Sequence, residues 1–215
     1  MDELELLKKQ WHRQERDLPE LSYNDIYKML LRKSSSTVRW IFLISIGEII
    51  FWTGVAFLIP DSSKKYTDDI GLHNALLIFN IFHYTVFALF IFLFYKNYRK
   101  ISNTDSIKKL MQSILQTRKT VRYFIVYNIV GTCVLLIGLN IYYYFNQDLI
   151  FQLMVNGDNV QASMNKEQFI SMFFISQLVV GALLIVGVII FYRIVYGFLL
   201  RRLNKNYKEL KKIEV

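Results

Sequence analysis

The chain has 215 residues, of which 53% are hydrophobic and 16% aromatic, with nine glycines and two prolines. This composition is too apolar for a water-soluble domain of this size and too poor in turn residues for an all-β fold. The net charge of +9 could indicate nucleic-acid binding, but the basic residues are spread over three segments and form no recognition motif. We therefore expect no direct contact with nucleic acid.

The first 37 residues are mostly polar and predict a cytoplasmic helical region. Residues 2–16 are rich in helix formers, and Leu18-Pro19 would end that helix. Ser22 is a typical N-cap for a second helix with its own apolar stripe. Large apolar side chains on these stripes are candidate anchors for a protein partner, because such residues bury the most area in interfaces. The candidates are Leu7, Trp11, Tyr23, Tyr27 and Leu30.

Four apolar blocks follow, each long enough to cross a bilayer core of about 30 Å, which takes roughly 20 helical residues. Their approximate bounds are 40–60, 72–95, 123–145 and 169–192. A segment inside lipid must satisfy its own backbone, and these blocks are about twice as long as a barrel strand. The sequence therefore predicts an all-α, polytopic membrane protein whose transmembrane domain, residues 38–200, has four transmembrane helices.

The distribution of charge predicts the orientation of the spans. All but three of the 26 lysines and arginines lie before the first span, between the second and third, or after the fourth. Short segments rich in these residues stay in the cytoplasm, so both termini and the middle loop are predicted to be cytoplasmic. Interfacial tyrosines are expected on the same side. They are Tyr95, Tyr98, Tyr123, Tyr192 and Tyr196.

Two further cytoplasmic stretches have an apolar face. Residues 104–120 predict an amphipathic helix that could continue into the third span. The C-terminal extension, residues 201–215, continues a seam with the alternating steps of four and three that are typical of a coiled coil. The seam consists of Leu199, Leu203, Asn206, Leu210 and Ile213. These stripes either pack on one another, lie among the lipid headgroups, or bind another cytoplasmic protein.

Six polar side chains inside the spans fall at two depths. The inner level holds Glu48, Asn128 and His83, and the outer level holds Asn80, Asn140 and Gln177. A charged side chain in mid-span costs about 2.5 to 3.5 kcal/mol, so Glu48 should face inward, with His83 or Asn128 as its partner. Such residues serve either as hydrogen-bonding links between helices or as parts of a proton or ligand pathway.

Four glycines suggest a close helix contact. Gly47 and Gly54 on the first span and Gly131 and Gly138 on the third are each seven residues apart and reach similar depths. Small residues allow helix backbones to approach closely, so these two helices are predicted to meet along a glycine-lined seam.

No pattern of catalytic or metal-binding residues emerges. The three histidines, His12, His73 and His83, fall on the inside, at the outer interface and in mid-membrane, so they cannot share a metal ion. No nucleophile motif or phosphate-binding loop is present, and Cys133 is the only cysteine. We expect a non-enzymatic protein without a cofactor.

Two stretches, LELLKKQWHRQE and LPELSYNDIYKMLLRKSSSTVRWIFLISIGEIIFW, carry a family resemblance. They resemble an uncharacterised family of small four-span membrane proteins of flavobacteria and related Bacteroidota, often encoded beside extracytoplasmic-function sigma factors. The resemblance is strongest in about the first quarter of the chain and implies an anti-sigma-like regulator. The leading hypothesis is thus a regulator whose cytoplasmic helices bind a soluble partner, such as a sigma factor. A subunit of a larger membrane protein complex and a small transporter are the alternatives.

Overall fold

The computed structural model describes residues 4, 5, 8, 22–157 and 165–213, and the regular secondary structure of these residues is entirely helical. The helices are α1 (Tyr23–Phe57), α2 (Asp61–Asp69), α3 (His73–Ser102), α4 (Ile107–Phe145), α5 (Gln147–Gly157) and α6 (Lys166–Ile213). Four of them, α1, α3, α4 and α6, are long and apolar enough to cross a membrane. The prediction of an all-α protein with four transmembrane helices is confirmed.

The long helices continue past the apolar blocks on the side that carries most of the lysines and arginines, which we call the basic end. At this end α1 begins at Tyr23, where the Ser22 hydroxyl accepts a hydrogen bond from the backbone N–H of Asn24 at 3.2 Å. The amphipathic stretch 104–120 forms the first part of α4, and the C-terminal seam forms the last part of α6. The predicted domain boundaries at 37/38 and 200/201 fall inside α1 and α6, so no break in the helices marks them.

The four long helices form a ring in which sequence neighbours are antiparallel. α1 packs against α3 and α6, and α4 packs against the same two helices. α1 and α4 therefore lie diagonally opposite and touch at few places. This order leaves α6 between the first and the third spans, which decides the partners of the polar side chains.

Most of the interior of the ring lies toward the basic end. One cluster of buried apolar residues extends along α1, α3, α4 and α6 and reaches well beyond the predicted spans. Fully buried members outside those spans are Val38, Ile101, Leu110, Ile114, Val121, Tyr196, Leu203 and Leu210. At the opposite, acidic end, Phe57 and Leu58 are 82% and 81% exposed. The amphipathic stripes of α1, α4 and α6 thus pack on one another, as one of the alternatives from the sequence proposed.

A smaller apolar cluster closes the acidic end. It joins the turn after α2 to α5 through the buried side chains of Ile70, Leu72 and Ile150. Gly71 in this turn has a φ of +81°, which glycine adopts without steric cost. The Tyr142 hydroxyl donates a hydrogen bond to the Ile70 carbonyl at 2.6 Å, which ties the turn to α4.

Candidate functional site

Glu48 on α1 is buried in the interior of the ring and bound by two tyrosines of α6. Its side chain is 6% exposed. The Tyr192 hydroxyl donates a hydrogen bond to Oε1, and the Tyr196 hydroxyl donates one to Oε2 at 3.2 Å. Both carboxyl oxygens therefore have a phenol partner from a single neighbouring helix. We call Glu48, Tyr192, Tyr196 and the adjacent Phe124 the Glu48 cluster.

The expectation that His83 or Asn128 would bind Glu48 is wrong. His83 on α3 lies beside Tyr127 on α4, with 3.3 Å between Nδ1 and the tyrosine hydroxyl and 5.7 Å between the ring centroids. The Asn128 side chain donates instead to the carbonyl of Phe124 on its own helix at 2.9 Å. The ring order explains the result for Asn128, because α4 lies across the ring from α1. His83 is on α3, which is adjacent to α1, but its ring lies against Tyr127 of α4.

Phe124 closes the Glu48 cluster on the side of α3 and α4. Its ring centroid is 6.1 Å from that of Tyr192 and 5.7 Å from that of Tyr196. On its other side it lies 5.1 Å from the ring of Phe87, in an edge-on arrangement. Such tilted and edge-on aromatic contacts are favourable and fill the interior densely. The two tyrosines that bind the carboxyl group are therefore themselves packed against Phe124.

Tyr192 and Tyr196 are predicted to lie at the membrane interface, and this prediction is wrong. Tyr192 is 4% exposed and Tyr196 is fully buried, whereas Tyr95 and Tyr123 are indeed exposed at this end. The signal was present, because the seam of α6 continues backward from Leu199 in the same alternating steps. Residues 192 and 196 are its next two positions, so they face the interior.

The outer polar level is only partly assembled. Asn140 on α4 and Gln177 on α6 line one apolar groove of about 590 Å³, which we call the α4–α6 groove. The Asn140 amide donates to the Leu136 carbonyl of its own helix at 2.9 Å. Asn80 on α3 is exposed and does not line this groove. Gly181 also lines it, with space for only a small group before Leu136.

The predicted glycine seam is absent from these helices. A Cβ atom built on Gly47, Gly54, Gly131 or Gly138 would meet no heavy atom of another element within 4 Å. The physical reason is again the ring order, which places α1 and α4 diagonally. These glycines therefore do not bring the first and third spans together.

The candidate partner anchors have different environments. Leu30 is 2% exposed and belongs to the chain's own interior, so it is unavailable to a partner in this structure. The Tyr27 hydroxyl donates to the Thr104 carbonyl at 2.8 Å, and burial, with a smaller effect of Asp105, raises the pKa of this phenol. Tyr23 is 54% exposed. Leu7 and Trp11 lie outside the described residues.

The geometry of the Glu48 cluster is that of a hydrogen-bonded link between α1 and α6. A proton pathway needs titratable groups at successive depths, and the two at the inner level, Glu48 and His83, bind tyrosines on different helix pairs. A carboxyl group that accepts from two phenols instead fixes the rotation of α1 against α6. Nearer the basic end, the Asn206 side-chain amide of α6 donates a hydrogen bond to the Ser34 hydroxyl of α1 at 3.1 Å, which is a second link between these helices.

Comparison with curated proteins and with solved structures gave no significant match to this chain. One family model, described as a domain of unknown function (DUF8845), matches residues 24–215. The match begins at the first turn of α1 and includes all four long helices together with the Glu48 cluster. Because it extends over most of the chain, the protein belongs to the DUF8845 family.

Proposed function

We propose that this multi-pass membrane protein is a non-enzymatic regulator of the bacterial inner membrane whose basic, cytoplasmic end binds a soluble protein. The observation that carries the proposal is the position of the packed interior. Leu110, Ile114, Leu203 and Leu210 are all fully buried and lie outside the predicted spans. A plain membrane anchor needs no ordered helix bundle beyond the lipid, whereas a docking protein needs a rigid platform.

The partner surface is best sought where the N-terminal segment meets this platform. Tyr23 is exposed at the start of α1, directly after the segment that contains Leu7 and Trp11. Met29, 42% exposed, is a further apolar residue on α1. The surrounding lysines and arginines favour a partner with an acidic surface. A sigma factor held in an inactive complex is the partner that the family resemblance implies.

Affinity purification of the full-length chain in mild detergent tests this proposal. We expect one soluble cytoplasmic protein to co-purify in about equal amount. The triple variant L7A/W11A/Y23A should reduce its recovery at least about tenfold, because anchor residues commonly contribute 1 kcal/mol or more each. As the control, F57A/L58A removes two large, exposed apolar side chains from the acidic end and should leave recovery unchanged. Absence of a soluble companion from the wild-type protein would contradict the proposal.

A subunit of a larger membrane complex is the second candidate, and the α4–α6 groove favours it. Ala182 is exposed in this groove, and a small residue there lets another helix approach, while Asn140 and Gln177 offer hydrogen bonds to it. The same purification distinguishes the two candidates. An integral membrane companion that survives L7A/W11A/Y23A but is lost on A182L would support the subunit. The burial of Glu48 against two tyrosines gives no support to a small transporter.

A further inference from the structure

A second groove lies between α1 and α6 near the basic end, and we call it the α1–α6 groove. It has a volume of about 720 Å³. Its apolar wall includes Trp40 and Ile44 of α1 and Phe198 of α6. Three arginines of α6, Arg193, Arg201 and Arg202, line the same groove. An apolar trough with a cluster of positive charge is an unusual combination for a surface that faces lipid.

The three arginines have no acidic partner among the described residues. None of them lies within ion-pair distance of a described aspartate or glutamate, and all three are exposed. The guanidinium of Arg202 lies over the Phe198 ring, with 4.2 Å from Cζ to the ring centroid, so it is held above the apolar wall. The groove therefore presents three positive charges without compensation from the described chain.

The register of α1 against α6 places these arginines in depth. Ser34 lies opposite Asn206 and Glu48 opposite Tyr192, and the fourteen-residue step is the same on both helices. Trp40 lies six residues after Ser34 on α1, and Leu200 lies six residues before Asn206 on α6. Trp40 and Leu200 are therefore at the same level. Arg201 and Arg202 are thus level with Trp40, at the start of the first predicted span. This is the level of the lipid headgroups.

Arg193 lies deeper than the other two arginines. It is eight residues from Arg201, which is about 12 Å along a helix. An exposed arginine at this depth is costly in hydrocarbon unless its side chain reaches toward the headgroups or meets an anion. Because Arg193 lines the same groove as Arg201 and Arg202, an anion held there would neutralise all three.

We propose that the α1–α6 groove binds the headgroup of an anionic phospholipid. The phosphodiester lies between Arg201 and Arg202 at the headgroup level, the side chain of Arg193 extends toward it, and an acyl chain runs along Ile44 and Phe198 toward the acidic end. The amphipathic lining matches such a ligand, whose charge lies directly above its apolar tail. A zwitterionic lipid would bring an ammonium group to three unpaired arginines, so it fits less well. The site is separate from the proposed partner surface and does not depend on it.

Native mass spectrometry of the full-length protein in a neutral detergent tests the site. Phosphatidylglycerol and phosphatidylcholine with identical acyl chains are supplied in equal amounts. We expect phosphatidylglycerol to be retained at least about tenfold over phosphatidylcholine, because each basic side chain near the headgroups contributes about fivefold. The variant R193Q/R201Q/R202Q should lose this preference. The variant R118Q/K119Q/R122Q removes three positive charges from α4 at the same end and should keep it.

The same measurement can overturn the proposal in four ways. Equal retention of the two lipids by the wild-type protein would exclude an anionic-lipid site. Persistence of the preference in R193Q/R201Q/R202Q would place the site elsewhere. Displacement of phosphatidylglycerol by millimolar inorganic phosphate would indicate a free-anion site instead. The pair R201K/R202K and R201Q/R202Q guards against misfolding, since the lysine variant should keep a preference that the glutamine variant loses, and equal behaviour of the two would contradict the assignment.

Discussion

Glu48 is the only buried carboxyl group among the described residues, and each of its oxygens accepts from a different tyrosine. A polar group inside a membrane protein is costly unless it is hydrogen-bonded. Two phenols from one helix meet this requirement and at the same time set the rotation of α1 against α6. Glu48 therefore acts as a structural residue that specifies the helix pair.

Replacing Glu48 with glutamine should lower stability, because the amide nitrogen would point a donor at a tyrosine hydroxyl that is itself a donor. The loss should be about 1 to 2 kcal/mol. It is measured as a fall in the thermal unfolding midpoint in detergent. Y192F should show a loss of similar size, whereas N80L, at an exposed amide, should show little change. A fully stable E48Q protein would contradict the structural role.

The sequence predicts a depth for Glu48, but it does not predict which residues bind it. Depth follows from counting residues along a helix. The partner depends on which way the side chain points around the helix, and a span that is apolar on every side gives no periodic signal for that direction. Tyr192 and Tyr196 were the exception, because the mixed seam of α6 continues into the membrane and marks its inner face.

At the scale of elements, the ring order explains why the four glycines form no contact between α1 and α4. Gly131 and Gly138 on α4 have open space where a side chain would be, because α1 lies across the ring rather than beside them. Equal depth and equal spacing on two parallel helices suggested a contact. Helices that are adjacent in space cannot be identified from depth alone, since two parallel spans of a four-helix ring can also be diagonal.

Alanine at Gly131 or Gly138 should be tolerated and should stabilise the protein. Glycine inside a helix costs about 0.5 to 1 kcal/mol relative to alanine, and the new methyl group meets no neighbour from another element. Gly71 provides the contrast, because its positive φ is strained for alanine and its Cβ would lie 3.4 Å from the Tyr142 hydroxyl. Unfolding midpoints should therefore rise for G131A and G138A and fall for G71A. A marked fall in the unfolding midpoint of G131A would contradict this expectation and would indicate that Gly131 lies at a close helix contact.

At the scale of the whole molecule, the periodicity of apolar residues indicates the buried face of a helix only where the helix is predicted to leave the lipid and enter water. The stripes of residues 104–120 and of the C-terminal seam were visible in the sequence because one side of each helix there is polar. The structure confirms that they pack together, through Leu110, Ile114, Leu203 and Leu210. Their continuity with the spans was less visible, because the boundary between a loop helix and a membrane helix leaves no break in the pattern.

The predicted orientation can be tested with single cysteines in a chain whose native Cys133 is replaced by serine. S62C lies in α2, which connects the first two spans, and N103C lies in the turn between α3 and α4, which connects the second and third. In intact cells with a permeable outer envelope, a membrane-impermeant maleimide should label S62C and should reach N103C only after lysis. The opposite labelling pattern would show that the basic end lies outside the cytoplasm, and it would contradict the proposal of a cytoplasmic partner.

Each long helix runs from the hydrocarbon into the aqueous phase as one unbroken rod. No linker marks a place where a protease could release an intact soluble fragment from the described part of the chain. Cleavage at the bilayer surface would sever helices in mid-length and wet the side chains of Leu110, Ile114 and Leu203. A stimulus sensed within the lipid would therefore have to reach the basic end as a shift or rotation of whole helices.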